Sequence, residues 1–474
     1  KCKSRPTHTD REISPSNLSI VLRPAPSSIS VMDYISPRHL LPSFITMPPS
    51  PLITRPVDIP IDTVIHFDEN GKIRTEENEK DEEKEETVEA ECKIDSLFYR
   101  VCWICFALGV NFYRRRAWWQ RLISTIVVGF NVLINVYFIF YVVYLMLSKP
   151  FNPDTLATSL GVTTWTLQAT LSTLFLAYWQ STAQACRMLK QLYDAHKGVG
   201  IQHYRKELRT IVHYFYVVLV LIIIYSIVNV RAYFMGKELT FLDKDIERLF
   251  GDRRLFIIFI LANTYTILCW GVALFVFSLL VHSTNYEFLF FNNQVRSIRC
   301  EKMYRTDEDL CNYLLRLIKV HSQLTECVKR LDRMFHRYAF VMIASIIPTT
   351  IFSLFMVFRK GDQPFAERCG DFIFSAPLVF FCIFSFFALT NGPSQLHDTI
   401  YTTKSALCAN THIWFPYRPA VYHSALAFVC HLDQTNLGIS IWGFAVVSKP
   451  LVLTTLSVMV TCLALFLQVG ECKV

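Results

Sequence analysis

The residues whose types and spacing could support chemistry lie near the C-terminal end of the chain. Thr461, Leu465, Gln468 and Cys472 are separated by four, three and four positions, so a helix places them on one face. A glutamine near the end of an apolar span is costly unless its amide meets water or a partner. Two interpretations follow. Either this face lines an aqueous pore, or the amide bonds to a neighbouring helix or to the membrane interface.

The sequence carries no convincing signature of an enzyme or of a metal site. It has no Gly-rich phosphate loop, no His-Glu-x-x-His and no Gly-x-Ser-x-Gly. Cys102 and Cys105 have the spacing of a redox or zinc pair, but neither a second pair nor a histidine cluster accompanies them. We therefore predict that the protein is not an enzyme and that it holds no cofactor and no metal.

The composition is that of a protein that lies mostly in a membrane. Of 474 residues, 52% are hydrophobic and 18% are charged, whereas a soluble domain has about a quarter charged residues. The formal charge of +8 does not indicate nucleic acid, because the basic residues flank apolar runs, where they orient a membrane protein. Membrane lipid is thus an expected partner, and nucleic acid is not.

Seven apolar runs are each long enough to cross a bilayer as a helix, which requires about 20 residues. No charged residue lies in the central part of any run, and this argues against an ion-coupled transporter. The sequence therefore predicts an all-α membrane protein with seven transmembrane helices, the fifth kinked at Pro348. The predicted spans are 122–147, 156–182, 211–230, 255–281, 338–358, 372–389 and 451–469.

The distribution of Lys and Arg predicts how these spans are oriented. The segments before the first, third and fifth runs carry about twice as many Lys and Arg residues as the segments on the other side. We therefore expect the N-terminus inside, the C-terminus outside, and a multi-pass protein of the plasma membrane. Residues 1–93, rich in Pro, Ser and charge, are predicted to be a disordered cytoplasmic tail. Residues 94–116 are predicted to form an amphipathic helix along the membrane.

The segment 282–337, between the fourth and fifth spans, is predicted to be a long cytoplasmic helical loop. Neither Pro nor Gly interrupts the chain from Gln294 to Tyr338, and apolar residues recur every three or four positions. We interpret this apolar stripe as a surface for partner helices. The residues expected to contact other subunits are Leu314, Leu317, Leu324 and Leu331.

The last span resembles the C-terminal signature of invertebrate gustatory receptors, in which Thr-Tyr, five hydrophobic residues and Gln-Phe follow one another. Thr461, residues 463–467 and Gln468 match, whereas Cys462 replaces the Tyr and Val469 replaces the Phe. With the seven spans and the inside N-terminus, the resemblance covers residues 94–474. The two departures and the long tail indicate a divergent member, of nematode type.

This resemblance implies a ligand-gated, weakly selective cation channel formed by four like or related subunits, as a homo- or hetero-tetramer. The last spans of the subunits surround the pore, and the cytoplasmic helices tie the subunits together. Small-molecule ligands enter a pocket in the outer half of the other helices. The implied pore and gate residues are Thr461, Leu465, Gln468 and Val469. The candidate pocket residues, each of which could equally be an interfacial anchor or a helix–helix contact, are Tyr144, Thr164, Trp165, Gln168, Tyr225, Asn229, Asn263 and Tyr265.

A seven-helix G-protein-coupled receptor and an orphan signalling receptor are the alternatives. A G-protein-coupled receptor needs an outside N-terminus, and this chain has no Asp-Arg-Tyr after the third span and no Asn-Pro-x-x-Tyr in the seventh. The stimulus itself is not readable from the sequence.

Overall fold

The computed structural model describes most of the chain after residue 117. The predictions for the tail 1–93, for the pair Cys102 and Cys105, and for nearly all of 94–116 lie outside the described residues. So do the side chains of Asn229 and Val469. The described residues are 108, 118–148, 153–182, 184–234, 253–298, 306–359, 365–433 and 437–471.

Nearly all of these residues are helical, because backbone groups inside a bilayer must find their hydrogen bonds within the same segment. The prediction of an all-α membrane protein is confirmed. One two-stranded antiparallel hairpin interrupts the helices just before the last of them. In chain order the elements are α1 Trp118–Ser148, α2 Pro153–Ser181, α3 Gln184–His196, α4 Val199–His203, α5 Arg205–Phe234, α6 Arg253–Arg296, α7 Asp307–Arg359, α8 Phe365–Cys408, α9 Thr411–Trp414, α10 Pro419–Leu432, β1 Ser440–Ile441, β2 Ala445–Val446 and α11 Lys449–Glu471.

Six of the described helices are long and apolar enough to cross a membrane, namely α1, α5, α6, α7, α8 and α11. The remaining predicted span, 156–182, is α2, which has 29 residues but is more polar. The polar side chains in its middle, Gln168, Thr170 and Ser172, are buried where α2 packs between α1, α6 and α7. Because neighbouring helices cover α2, it does not need an apolar surface on every side.

The predicted cytoplasmic loop 282–337 is formed by the ends of two continuous helices. Helix α6 runs past the expected span end at Val281 to Arg296, and α7 begins at Asp307, so the helix is interrupted where the sequence predicted continuity. A capping box sets the new start. The Thr306 hydroxyl accepts the Asp309 N–H at 3.1 Å, and the Asp309 carboxylate accepts the Thr306 N–H at 3.2 Å. Helix α8 likewise continues past Leu389 to Cys408.

The apolar stripe of α7 packs within the chain. Leu314, Leu317, Leu324 and Leu331 are between 0% and 3% exposed, because α3, α6 and α10 lie against this helix. These four leucines have no surface left for a partner subunit. The prediction that they form subunit contacts is therefore corrected: the same periodicity serves the core of a single chain.

A buried carboxylate joins the link between α2 and α5 to the central helix α6. Glu287 of α6 is fully buried and accepts the backbone N–H groups of Gly200 and Ile201 at 3.2 and 2.9 Å. Its other partner is His196, whose Nδ1 lies 2.8 Å from the carboxylate, and His196 Nε2 lies 3.3 Å from the Gln294 side-chain oxygen. A buried carboxylate is tolerated because every side of it meets a donor.

A substitution at Gly200 tests this close contact between the link and α6, which we call the Glu287 clamp. A Cβ added there would lie 2.7 Å from both the Tyr286 carbonyl oxygen and the Glu287 Cα, which are backbone atoms that cannot yield. Gly200→Ala should therefore lower the free energy of unfolding by about 1–3 kcal/mol. The measurement is the thermal unfolding midpoint of the full chain in detergent. Gly129→Ala is the matched control, since nothing lies within 4 Å of that Cβ and Ala favours a helix. An equal loss at both positions would contradict the clamp.

Candidate functional site

The last helix, α11, is held at its N-terminal end by polar bonds to α7 and α8. The preceding hairpin pairs Ser440 with Val446, and its turn uses positive φ at Trp442 (50°) and Gly443 (78°). The Asp332 carboxylate of α7 accepts both the N–H and the O–H of Ser440, at 2.6 and 2.8 Å. Lys449, the first residue of α11, pairs with Asp398 of α8 at 2.5 Å. The position of α11 is thus coupled to both helices.

Helix α11 has a packed face and two exposed faces. On the packed face, Met459 is buried and the Phe466 ring lies 5.8 Å from the Phe352 ring of α7. One exposed face is apolar and includes Leu453 and Val460, which are 68% and 67% exposed.

The second exposed face of α11 is largely polar. All five of its side chains are exposed, at steps of three, four, four and three residues, which is the spacing of one helical face. The hydroxyls of Thr454 and Thr461 donate to carbonyls of their own helix, each at 2.9 Å. Their hydrogens are therefore satisfied within the helix, while their side chains remain exposed. Sequence reasoning found three members of this face and missed the first two, although the same spacing extends to them. The members are Thr454, Ser457, Thr461, Leu465 and Gln468.

A second candidate site lies inside the bundle, where three aromatic rings from α2, α6 and α8 meet. The Trp165 ring is 4.9 Å from the Trp270 ring and 5.6 Å from the Phe381 ring, and the latter two are 4.6 Å apart. All three contacts are edge-on, which is the preferred arrangement of aromatic pairs. We call these three residues the aromatic triangle.

Near the triangle, buried polar atoms have no hydrogen-bond partner within the part of the chain that the structure describes. Gln168 stands one turn after Trp165 on α2, is fully buried, and leaves both amide atoms unpartnered. The Trp270 indole N–H is also unpartnered. Other side-chain oxygens in the same state occur along α2, α6, α7 and α8, at Thr163, Asn263, Ser353 and Ser385. Apolar walls with a few convergent polar groups are typical of small-molecule sites.

The eight predicted pocket residues are not all brought together. Trp165 and Gln168 are buried in the bundle, and Asn263 is half-buried. Tyr265 donates its hydroxyl to the Leu108 carbonyl at 3.1 Å, and Thr164 donates to the Leu160 carbonyl at 2.8 Å.

The remaining three lie toward the edge of the bundle or outside the description. Tyr144 is 64% exposed on α1 and Tyr225 is half-buried on α5, while only the backbone of Asn229 is described. Trp270 and Phe381 were missed, because nothing in the sequence links residues that are over a hundred positions apart.

Gln168 should cost stability in the absence of a ligand, because its amide is buried without a partner. Gln168→Leu should raise the free energy of unfolding of the full chain by about 1–3 kcal/mol. Thr170→Val is the control: the Thr170 hydroxyl is buried but donates to the Thr166 carbonyl at 2.7 Å, so its removal should bring no gain. Thermal unfolding in detergent measures both variants. A lower midpoint for Gln168→Leu would contradict the reading of this amide as unsatisfied.

The comparisons with known proteins concern the fold. No protein-family model and no curated protein matches the sequence. Among solved structures, the chain is similar to the insect olfactory receptor OR5 from Machilis hrabei, with a TM-score of 0.59 and 13% identity. That match covers 80% of this chain and 99% of that one. The same receptor in complex with eugenol gives a TM-score of 0.58 and 11% identity over the same shares. The chain thus has the fold of an insect olfactory receptor, which agrees with the fold implied by the gustatory-receptor resemblance.

Proposed function

We propose that this protein is a chemosensory receptor of gustatory type that works as a ligand-gated, weakly selective cation channel of the plasma membrane. The observation that carries the proposal is the polar face of α11. It is exposed on a helix whose other exposed face is apolar, in a chain with an olfactory-receptor fold. Four like or related subunits, as a homo- or hetero-tetramer, would enclose this face around one axis.

The physical argument starts from the cost of polar groups in lipid. The Thr454 and Thr461 hydroxyls already donate to their own helix, so the cost falls mainly on the Gln468 amide, which forfeits hydrogen bonds if it faces hydrocarbon and keeps them if it faces an aqueous pore. Because α11 packs on α7 and α8 at the edge of the chain, its polar face meets water inside the bilayer only if several copies assemble around it. The apolar face with Leu453 and Val460 then meets lipid or a neighbouring subunit.

Leu465 and Val469 are the proposed gate, with Gln468 beside them. A ring of four leucines excludes water, and a hydrated ion does not pass such a ring until it widens or a polar group turns inward. The Gln468 amide is the polar group next to this ring that can replace lost hydration. Glu471, near the outer end of α11, would favour cations at the mouth.

The proposed ligand pocket is centred on the aromatic triangle, with Gln168 and Asn263 as its polar groups. An amide offers both a donor and an acceptor, so the fitting ligand is a small molecule that carries complementary groups. The complex of the Machilis hrabei receptor with eugenol supports a small-molecule ligand for this fold. Tyr144, Thr164, Tyr225, Asn229 and Tyr265 remain candidates for its rim.

The orientation of the chain separates this proposal from a G-protein-coupled receptor. We expect an epitope tag after Val474 to be reached by antibody on intact cells, and a tag before Lys1 only after permeabilisation, because the Lys and Arg bias places the N-terminus inside. Permeabilised cells, in which both tags must react, control for expression. The reverse pattern would overturn the proposed orientation and favour the G-protein-coupled class.

The gate is tested by substitutions on the two exposed faces of α11. Leu465→Ser should wet the proposed ring and produce a current without ligand, whereas Leu453→Ser, an equal change on the apolar face, should not. Gln468→Ala should lower conductance or shift the reversal potential while assembly is unchanged. The measurement is whole-cell current at matched surface expression. If Leu465→Ser and Gln468→Ala leave leak, conductance and reversal potential as in the wild type, α11 does not line a pore.

A further inference from the structure

Helices α2 and α3 run antiparallel along α7 over its whole middle part. Moving down α7, the Ser172 hydroxyl donates to the Met342 sulfur at 3.2 Å, and the Trp179 ring lies 4.8 Å from the Phe335 ring. Further down, the Arg330 guanidinium donates to the Gln191 side-chain oxygen. Rising residue numbers on one side therefore match falling numbers on the other. This register places Arg187 of α3 at the level of residues 333–335 of α7.

Cations from both helices meet along this shared edge. Arg330, Arg333 and Arg337 are exposed at steps of three and four residues, which is one face of α7. Arg187 is exposed one turn before Gln191, so it lies on the face of α3 that meets Arg330. Lys190 and Lys329 are exposed beside this face. We call Arg187, Arg330, Arg333 and Arg337 the arginine edge.

Little negative charge offsets the arginine edge. Glu326 pairs with Arg333 at 2.8 Å, but both side chains are more than half exposed, so that pair is weak. Asp194 lies near Cys327, toward the end of the edge away from the predicted membrane span. The carboxylates of Glu287 and Asp332 are already engaged by His196 and by Ser440.

The edge also lies at a defined depth. Arg337 directly precedes the predicted fifth span, which begins at Tyr338, and the seven-residue rise from Arg330 to Arg337 is about 10 Å. Arg187 lies five positions after Thr182, the end of the predicted second span. With the N-terminus inside, the edge occupies the headgroup layer of the cytoplasmic leaflet.

We propose that the arginine edge binds the phosphorylated headgroup of an anionic inositol phospholipid. Guanidinium groups bind phosphate oxygens through two parallel N–H···O bonds, and several of them spread over about 10 Å fit a headgroup with more than one phosphate. Basic clusters immediately cytoplasmic of a membrane span attract such lipids. The general bias of Lys and Arg toward the cytoplasm explains how many cations there are. It does not explain why cations from two helices are aligned in register at one edge. The inference rests on the proposed orientation and does not require that the protein conducts ions.

The test is binding of a fluorescent dioctanoyl phosphatidylinositol bisphosphate to the purified full chain in detergent, followed by anisotropy. Arg187→Gln with Arg337→Gln should weaken binding about tenfold or more. The matched control is Lys206→Gln with Arg209→Gln. These cations are exposed just before the predicted third span, on the same side, and their loss should change binding less than about twofold. Arg333→Lys should bind less tightly than the wild type and more tightly than Arg333→Gln, because lysine keeps the charge but cannot form the two parallel N–H···O bonds of a guanidinium.

Unlabelled competitors identify the source of the phosphate. Dioctanoyl phosphatidylinositol bisphosphate should displace the probe at lower concentration than free inositol trisphosphate or dioctanoyl phosphatidylserine. Equal displacement by inositol trisphosphate would overturn the lipid assignment. Equal weakening by both double variants would overturn the site, since it would show attraction to any basic surface. Elution of each variant as a single species, with an unchanged unfolding midpoint, separates lost binding from lost folding.

Discussion

The buried carboxylate of Glu287 is the interaction on which the part of the bundle beyond the predicted second and fourth spans depends. Its two oxygens receive the N–H groups of Gly200 and Ile201 and the ring of His196, so the link between α2 and α5 is held against α6. Helix α6 is in turn the element that α2, α5 and α8 surround. The bundle is therefore organised by a polar contact outside the predicted spans, at Glu287, and by apolar packing between the spans.

Helix α7 connects the parts of the protein that the proposed function uses. Its 53 residues span about 80 Å, so one continuous element carries the stripe packed on α3 and α10, the Asp332 bond to the hairpin, and the aromatic contacts with α11. Pro348 lies within it and removes one backbone hydrogen bond. Because α11 is anchored to α7 at both ends of their contact, a movement of α7 and a movement of the polar face of α11 are not independent.

The aromatic triangle and Gln168 combine good packing with an unsatisfied polar group. The rings of Trp165, Trp270 and Phe381 pack well, but the amide beside them has no partner, and buried polar groups in proteins nearly always have one. Sites of function are the places where local rules are broken and the cost is offset elsewhere. A ligand that bonds to the Gln168 amide would supply the hydrogen bonds that this side chain lacks within the described part of the chain.

The sequence by itself determined the helical architecture and the polar face of the last helix. Apolar length decides which segments cross a bilayer, and helical periodicity decides which side chains share a face, so both properties are local and readable. Tertiary structure decided what these faces contact. The stripe through Leu324 looked like a subunit surface and is buried within the chain, and the polarity of α2 is hidden by its neighbours. Only packing brings Trp165 to Trp270 and Phe381, or Gln191 to Arg330, because such contacts depend on how helices far apart in sequence are placed side by side.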